Sequence, residues 1–376
     1  MWWVFIAIFL YVLVLLLYYY GEKKMPLFSL NEKDSTTTFS VVIPFRNEAN
    51  NLPDLLETIR HLNYPKSLYE IFLVNDASED NSVEIITAWI NENSLQANVQ
   101  LIDASRSTIS PKKDAISTAV SIASYDWILT TDADCELPGY LLQAYDAFIQ
   151  EKQPDFVAGP VVYRGNESFL QQYQVLDGLS LQAITMGSFG WKKPILCNGA
   201  NMAYKRTTFI ELNGFSGNNH IASGDDIFML EKVAQKYPKQ VGYLKSNDAI
   251  VSTKTQRDWG GVLNQRIRWA SKTGKQKSLL PKLIALLVLY TNLIVLVTPI
   301  VFITKPLQYG GIAIIAVLIK FSIDYFIIHN CAGVLKVKVP FFHFLVSFCV
   351  YPIIFLVVLM GSFLHKYQWK GRSFRR

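Results

Sequence analysis

The sequence predicts a doubly wound α/β domain with a mostly parallel sheet, with transmembrane helices at the N-terminal and C-terminal ends of the chain. Short apolar runs alternate with helical stretches between residues 39 and 131. The first twenty residues are apolar and uncharged, and three more apolar stretches follow residue 277. With 51% hydrophobic residues among 376, the chain has a composition unlike that of a purely soluble protein.

The N-terminal stretch predicts a membrane anchor over residues 1–22. Met1 to Tyr20 is long enough to cross ~30 Å of hydrocarbon and has Trp and Tyr at its ends, where these side chains favour the interface. It has no charged n-region and no small-residue cleavage site, so an anchor is expected rather than a cleaved signal peptide. Lys23 and Lys24 then place the following segment in the cytosol by the positive-inside rule.

The rest of the chain divides into three regions by composition. Residues 31–277 have mixed charges and predict one cytosolic domain, large enough to bury a sizeable core. Residues 278–364 predict a membrane region with two or three transmembrane or re-entrant helices, and residues 365–376 form a basic tail. The candidate spans are Leu283–Ile303, Leu307–His329 and Phe341–Phe363. The positive-inside rule favours a cytosolic tail, which requires one of these segments, with Leu283–Ile303 as the candidate, to be re-entrant or to lie on the surface.

Charge inside and beside these spans also bears on function. Lys320 and Asp324 are four residues apart, so on a helix they share a face and can pair; a functional polar site is the alternative. The net charge of +6 is concentrated beside the spans, where basic groups usually lie on anionic lipid head groups. No module with base-reading side chains accompanies them, so no nucleic acid partner is expected.

Strands and helices alternate through the first half of the central domain. The runs predicted as strands are rich in β-branched residues, and each ends at a polar or turn-forming segment. They are Phe39–Phe45, Glu70–Val74, Val99–Ile102 and Trp127–Thr131. The helical stretches between them are residues 46–62, Ser82–Ile90 and Ala115–Ala123. This alternation is typical of a parallel, doubly wound sheet.

Polar side chains stand where the predicted strands end, and ligands of such sheets bind beyond the carboxyl ends of the strands. Arg46 and Glu48 follow the first strand, Asp76 follows the second, and Asp132 and Asp134 follow the fourth. No GxGxxG follows the first strand, which argues against a dehydrogenase. These strand ends predict one ligand site at a single edge of the sheet.

The pair Asp132 and Asp134 predicts a metal and phosphate site. On an extended backbone, side chains at i and i+2 point to the same face, so both carboxylates can reach one hard divalent cation. Magnesium or manganese would keep open positions for the oxygens of a diphosphate. The alternative is a solvated acidic turn, since Asp favours turns.

Two further segments supply candidate ligand contacts. Lys112 and Lys113 precede a helix of small residues, where a cation can meet a phosphate or a base; an ordinary solvated pair is the alternative. Asn198 and Gly199 begin NGANMAYKR, in which small residues allow the backbone to approach a bound sugar closely.

The second half of the domain contains the candidate general base. Asp225 and Asp226 stand at the start of a helix, where Asp is also favoured by capping and by the helix dipole. We expect Asp226 to take the proton of an acceptor hydroxyl.

The segment QRIRW follows, with Gln265, Arg268 and Trp269 on one helical face. An amide, a cation and an indole together can hold an acceptor ring and a charge. An amphipathic interfacial helix with Trp as a lipid anchor is the alternative.

The order of these motifs resembles that of the family 2 glycosyltransferases over Phe39 to Ala270. The resemblance implies a GT-A fold and a site of four parts. The nucleotide-sugar-binding residues it implies are Pro44, Arg46, Glu48, Asp76, Lys113 and Asp132. The implied metal ligands are Asp134 and Asp132, the implied catalytic pair is Asp226 with Asp225, and the implied acceptor or diphosphate contacts are Asn198, Gly199, Gln265, Arg268 and Trp269.

The same resemblance implies an inverting transfer that depends on Mg²⁺ or Mn²⁺. The expected donor is a nucleotide sugar, with a UDP-sugar favoured over a GDP-sugar, and the expected acceptor is a membrane lipid or a lipid-linked hydroxyl. A processive polysaccharide synthase and a catalytically silent scaffold are the alternatives. The chain departs from the family pattern in the segment Gly224-Asp225-Asp226, where the acidic pair more often begins with Glu than with Asp225, and at Pro111, where the family often has Gly. The expected location is the inner or plasma membrane.

Overall fold

The computed structural model describes residues 2–30, 34–94, 97–165, 167–219, 221, 223–273, 278–364, 367–370 and 372–374. Two compact units emerge from the contacts along the chain. The sheet unit comprises Met25–Tyr163 and Trp191–Lys254, and the helical unit comprises Met1–Lys24, Arg164–Gly190 and Thr255–Arg376. The domain boundaries expected from composition, at residues 31 and 277, fall on residues outside the described ranges and stay a prediction.

The sheet unit is built on a seven-stranded sheet with the strand order β3-β2-β1-β4-β8-β6-β9. Its first four strands along the chain pair in parallel, whereas β8 runs antiparallel to both β4 and β6. A smaller sheet has the order β5-β10-β7. The strands are β1 (Phe39–Phe45), β2 (Tyr69–Asn75), β3 (Val99–Asp103), β4 (Trp127–Thr130), β5 (Cys135–Glu136), β6 (Phe156–Ala158), β7 (Val161–Arg164), β8 (Met202–Lys205), β9 (Val241–Tyr243) and β10 (Val251–Lys254). The predicted mostly parallel α/β sheet is confirmed.

Helices of the same unit pack on this sheet. β1 and β2 are almost completely buried, as expected for apolar strands of a parallel sheet covered on both faces. The helices of this unit are α2 (Leu52–Arg60), α3 (Ser82–Glu92), α4 (Pro111–Ile122), α5 (Leu141–Lys152), α7 (Arg206–Glu211) and α8 (Asp225–Lys236). Helix α4 begins at Pro111, four residues before the predicted start, because a proline is well suited to the first helical position.

The helical unit contains the apolar helices expected at both ends of the chain. Its members are α1 (Trp2–Lys23), α6 (Phe169–Gly190), α9 (Trp259–Thr273), α10 (Leu280–Thr304), α11 (Gly311–Val334) and α12 (Phe341–Leu364). A short hairpin follows, made of β11 (Tyr367–Trp369) and β12 (Arg372–Phe374). Within the described residues, four helical segments are long and apolar enough to cross a membrane: Trp3–Lys23, Leu280–Thr304, Pro306–Val334 and Phe341–Phe363. Much of the predicted basic tail, including Lys366 and Arg376, lies outside the described residues.

Helix α6, absent from the sequence-based prediction, packs tightly on α1. A Cβ atom at Gly187 or Gly190 would collide with the backbone of Tyr18 and Gly21, so the two helix backbones approach closely only because these positions have no side chain. This packing places α6 with the apolar helices rather than with the sheet.

A buried polar cluster joins α1 to α11. Lys320 Nζ lies 2.6 Å from Asp324 Oδ2, as the spacing of these residues predicts, and the Tyr11 hydroxyl donates to Asp324 Oδ1 at 2.6 Å. Lys320 is only 3% exposed, and its ammonium lies 5.1 Å from the centre of the Tyr11 ring. The charge pair is therefore compensated inside the helical unit by a hydroxyl from a distant part of the chain.

Candidate active site

The candidate site of the sheet unit begins where β1, β2 and β4 end. These strands are parallel neighbours, so their carboxyl ends lie along one edge of the sheet. Arg46 and Asp76 follow β1 and β2 directly, and Asp132 follows β4 after one threonine. The structure thus places the predicted polar residues of three strand ends at the same edge.

Arg46 and Asp76 are held by neighbours from the loop after β2 and from the loop after β3. The buried guanidinium of Arg46 donates to the carbonyl oxygens of Asp76 and Ala77 and pairs with Glu79 Oε1 at 2.6 Å. Arg106, which no motif identified, pairs with Asp76 Oδ1 at 2.6 Å. Arg46 therefore orders the loop after β2, while Arg106 fixes the Asp76 carboxylate.

The other residues of the first strand and the loop after it have local partners. Pro44 lies within β1, opposite Val74 of β2. Glu48 is 8% exposed, and its Oε2 accepts a hydrogen bond from Asn51 Nδ2 at 2.7 Å. Both residues help shape the loop that follows β1.

Asp132 and Asp134 lie in a turn between β4 and β5 rather than on the extended backbone assumed from the sequence. The Cys135 amide donates to the Asp132 carbonyl at 3.2 Å and closes this turn. Both aspartates are half-buried, whereas Ala133 between them is buried. The argument from strand alternation is therefore wrong for this segment, and any shared ligand would be held by the geometry of the turn.

Lys112, at the N-terminus of α4, joins two of the predicted motifs. Its Nζ lies 2.6 Å from Asp132 Oδ1 and 3.1 Å from Asp225 Oδ2. Burial lowers the pKa of the Lys112 ammonium, but the carboxylates of Asp132 and Asp225 outweigh burial and hold that pKa well above its usual value. The ammonium consequently stays charged between the acidic pair of α8 and the first aspartate after β4.

Lys113, which the resemblance assigns to the nucleotide sugar, points elsewhere. Its side chain is 1% exposed, and its Nζ donates to the carbonyl oxygens of Asn218 and Ile221 at 2.8 and 2.9 Å. The ring of Phe228 lies 5.0 Å from the ammonium. Lys113 thus ties α4 to the loop before α8, and Lys112 is the lysine beside the carboxylates.

The acidic pair occupies the first turn of α8, as predicted. Gly224 has a φ of 91°, a left-handed conformation that suits glycine, and directly precedes the helix. Asp225 is buried, whereas Asp226 is half-buried and its Oδ1 accepts a hydrogen bond from the Ile227 amide at 2.8 Å. Asp225 is therefore held beside Lys112, and Asp226 is the more accessible carboxylate of the two.

Asn198 and Gly199 form a tight turn beside this pair. Asn198 Oδ1 accepts a hydrogen bond from the Ala200 amide at 3.0 Å, and the Gly199 carbonyl accepts one from Thr130 Oγ1 at 2.9 Å. A Cβ atom added at Gly199 would lie 2.7 Å from Asp225 Oδ2 and 3.0 Å from Lys112 Nζ. The absence of a side chain at this position therefore allows Lys112 and Asp225 to meet.

Substituting Gly199→Ala is expected to lower kcat/KM for sugar transfer about tenfold or more, which corresponds to ~1.4 kcal/mol of lost transition-state stabilisation. The methyl group would displace the Lys112 and Asp225 side-chain ends, which can move without backbone strain, so the thermal midpoint should shift by only a few degrees. Paired kinetics and thermal unfolding would measure both effects. Gly333→Ala is the control, since no described atom lies within 4 Å of its Cβ; equal kinetics for the two variants would contradict the role of this close approach.

The QRIRW segment lies on α9 of the helical unit. Gln265, Arg268 and Trp269 are each half-buried there, and Arg266 between them is buried. Arg266 Nη1 donates to Gln265 Oε1 at 2.6 Å, and its guanidinium carbon lies 4.3 Å from the centre of the Trp269 ring. The motif gives no signal for Arg266, because the family pattern does not specify the two positions between Gln265 and Arg268.

The residues after β4 fit a divalent metal ion of the magnesium type. Among the described residues no group of three or more His, Cys, Asp or Glu could hold a metal by itself. Magnesium in phosphate-transferring sites commonly takes one or two carboxylates and completes its shell with water and substrate phosphates. Asp132 and Asp134 supply two half-buried carboxylates of this kind, and the remaining oxygen ligands would come from a diphosphate.

Comparison with known families identifies the class of protein that this fold and site define. Residues 40–212 match the family described as glycosyl transferase family 2, and residues 127–364 match glycosyl transferase family group 2. The second match covers more than half of the chain and includes the acidic pair and the apolar C-terminal helices. The chain belongs to the family 2 glycosyltransferases, and it is therefore an enzyme of that family.

The names of individual relatives describe different kinds of product and acceptor. The chain is 24% identical over 267 residues to the poly-beta-1,6-N-acetyl-D-glucosamine synthase of Staphylococcus aureus, covering 68% of this chain and 60% of that protein. It is 30% identical over 168 residues to the undecaprenyl-phosphate 4-deoxy-4-formamido-L-arabinose transferase of Yersinia enterocolitica, covering 43% of this chain and 49% of that protein. The chain thus spans about half to three-fifths of the length of these relatives.

A solved structure shows the same fold over nearly the whole chain. The mannosyltransferase PcManGT from Pyrobaculum calidifontis, determined in complex with GDP-Man and Mn²⁺, has a TM-score of 0.59 and 18% identity. The similarity covers 96% of this chain and 97% of that one. Together with the sheet described above, it confirms the expected GT-A fold.

Proposed function

We propose that the protein is an inverting glycosyltransferase that moves a sugar from a nucleotide diphosphate donor to a hydroxyl of a membrane lipid or lipid-linked acceptor. The observation that carries this proposal is the position of Lys112 between Asp132 and Asp225. That contact brings the candidate phosphate-binding motif and the candidate base motif together within one unit. Direct transfer requires the acceptor hydroxyl to face the anomeric carbon of the sugar on the side opposite the donor phosphate, so the two motifs must lie close to one another.

The donor is proposed to bind along the edge where β1, β2 and β4 end. Asp76, fixed by Arg106, would contact the base or ribose, beside Pro44, Arg46 and Glu48 at the end of β1. Lys112, rather than Lys113, would contact the donor phosphates, because its ammonium lies beside the Asp132 carboxylate. A UDP-sugar is favoured over a GDP-sugar, and hexosyl or N-acetylhexosaminyl transfer is expected.

Asp132 and Asp134 would hold a Mg²⁺ or Mn²⁺ ion on the donor diphosphate. Such an ion supplies positive charge that stabilises the departing diphosphate. Lys112 adds a second, permanent positive charge from the protein itself. The half-buried turn after β4 keeps both aspartates accessible to a bound donor.

Asp226 is proposed as the general base. Its neighbour Asp225 is buried. The acceptor oxygen attacks the anomeric carbon of the sugar, its proton passes to the Asp226 carboxylate, and the bond from that carbon to the diphosphate oxygen breaks. Attack opposite the leaving group inverts the anomeric configuration in one displacement. Asp225 keeps the Lys112 ammonium beside the donor side of the site.

The apolar helices support a membrane-bound acceptor. Four helical segments of the described chain could span a bilayer, and the relatives' names include both a lipid-phosphate sugar transferase and a polysaccharide synthase. We favour the lipid acceptor because three C-terminal spans at most are few for building a sugar-conducting channel in one chain. The catalytic domain and the basic tail are placed on the cytosolic side of the inner or plasma membrane, with a processive synthase as the alternative function.

Transfer from a panel of radiolabelled nucleotide sugars would test this proposal. Purified membranes containing the full chain would be incubated with magnesium or manganese and extracted lipids. Label in a chloroform-soluble product is expected, and Asp134→Ala should reduce it at least a hundredfold, because one of two carboxylates for the metal is lost. Label only in insoluble polymer would establish the synthase alternative, and no turnover of any donor would overturn the proposal in favour of a silent scaffold.

A further inference from the structure

Arg266 has no role in the family motif, although it lies between two of its members. On α9 its buried guanidinium contacts Gln265 through Nη1 and lies 4.3 Å from the centre of the Trp269 ring. Because a guanidinium can only donate hydrogen bonds, the contact also fixes which end of the Gln265 amide faces Arg266: the oxygen. One arginine thus sets the orientation of an amide and an indole that are one helical turn apart.

Asp177 on α6 forms an ion pair with this guanidinium and is its third partner. Its Oδ2 lies 2.5 Å from Arg266 Nε, and the side chains of both residues are only 9% exposed. The surroundings of the pair are poorly hydrated. Burial, and after it the charge of Asp177, raises the pKa of the neighbouring Tyr173 hydroxyl. Arg266 is therefore clamped between a carboxylate from one helix and an amide and an indole from another.

The energetics of such a pair indicate a role other than stability. A buried ion pair loses about as much free energy in desolvation as it gains in attraction, and apolar residues of similar size often do as well. The pair instead fixes the orientation of the side chains around it, because the planar guanidinium contacts three partners in a single geometry. Lysine, with a compact ammonium, cannot reproduce this arrangement.

We propose that Asp177 and Arg266 are positioning residues that hold Gln265 and Trp269 in the arrangement needed to bind the acceptor. The proposal rests on the proposed function and takes Gln265 and Trp269, which the resemblance implies as acceptor or diphosphate contacts, to be contacts of the acceptor. It adds α6, a helix outside any recognised motif, to the elements that determine acceptor binding. Neither residue touches substrate in this scheme; both act through their neighbours.

Steady-state kinetics of Arg266→Lys would separate positioning from catalysis. We expect kcat/KM for the acceptor to fall about 10- to 100-fold, since misplacing a binding group by about 1 Å has effects of this size. Donor hydrolysis without acceptor, and the KM for the donor, should stay within about twofold of wild type. Asp177→Asn keeps an acceptor oxygen for Arg266 and should show a smaller fall of the same kind.

The double variant Asp177→Leu/Arg266→Met keeps the test independent of folding. Replacing both members of the pair by apolar residues leaves no charge unpaired, so the protein should fold and hydrolyse donor as wild type does. Transfer should still be impaired through a raised acceptor KM. Wild-type kcat/KM for the acceptor in this variant, or in Arg266→Lys, would overturn the proposal. Failure of the proposed function would look different, because wild-type protein itself would then transfer no sugar.

Discussion

Asp226→Asn is expected to lower kcat for sugar transfer by about 10²- to 10⁴-fold, the range typical for loss of a general base. Asparagine has nearly the same shape and can still accept the hydrogen bond from the Ile227 amide, so the start of α8 should remain intact. The acceptor hydroxyl would lose only the group that takes its proton. Initial rates at saturating donor and acceptor, with a thermal unfolding curve for each protein, would measure the effect.

Glu231→Gln provides the matched control, because it removes a carboxylate from the same helix outside the site. It should leave kcat within about twofold of wild type. If Asp226→Asn were folded and retained more than a tenth of the wild-type rate, Asp226 would not be the base. Asp225, which is buried and paired with Lys112, would then be the next candidate.

Asp324→Leu is expected to destabilise the helical unit by about 3–5 kcal/mol, because it leaves the Lys320 ammonium buried without its partner. The Tyr11 hydroxyl loses its acceptor in the same step. The fraction of monodisperse protein recovered in mild detergent, and its thermal midpoint, should both fall clearly. This effect comes from an uncompensated charge rather than from lost packing.

Removing the whole cluster should reverse most of this loss. The triple variant Tyr11→Phe/Lys320→Met/Asp324→Leu removes both charges and the hydroxyl of the cluster, so none of them is left without a partner. Replacing such buried groups by apolar ones is often neutral or stabilising. The triple variant should therefore recover close to the wild-type midpoint. A triple variant as unstable as Asp324→Leu would show that these side chains contribute through shape and not through charge.

The sequence predicts the fold class well because β1 and β2, with seven residues each, are long and apolar. Phe39–Phe45 was predicted with the bounds that the structure shows, since a buried run of β-branched residues ends at a clear polar segment. By contrast β6, β8 and β9 have only three or four residues each, too few to establish a period. Helix α6 carries polar residues among its apolar ones, so its packing on α1 had no clear signal in the sequence.

The candidate site shows a similar limit. Its motifs predict segments that the structure brings together at Lys112, Asp132 and Asp225, but the choice between Lys112 and Lys113 depends on how α4 packs. The side chains of adjacent helical residues point about 100° apart. A motif can therefore identify the pair of lysines without showing which of the two faces the site. The contact between Arg106 and Asp76 likewise joins two loops that only the sheet brings together.

The cluster of Tyr11, Lys320 and Asp324 also has a consequence for biogenesis. Tyr11 and Asp324 are 313 residues apart, so at 5–20 residues per second the ribosome reaches Asp324 roughly 15–60 s after Tyr11. The ribosome thus completes α1 well before it makes the charged pair of α11. Tyr11 is therefore already present in the chain when Lys320 and Asp324 are synthesised, and the hydroxyl that compensates this pair does not depend on any later segment.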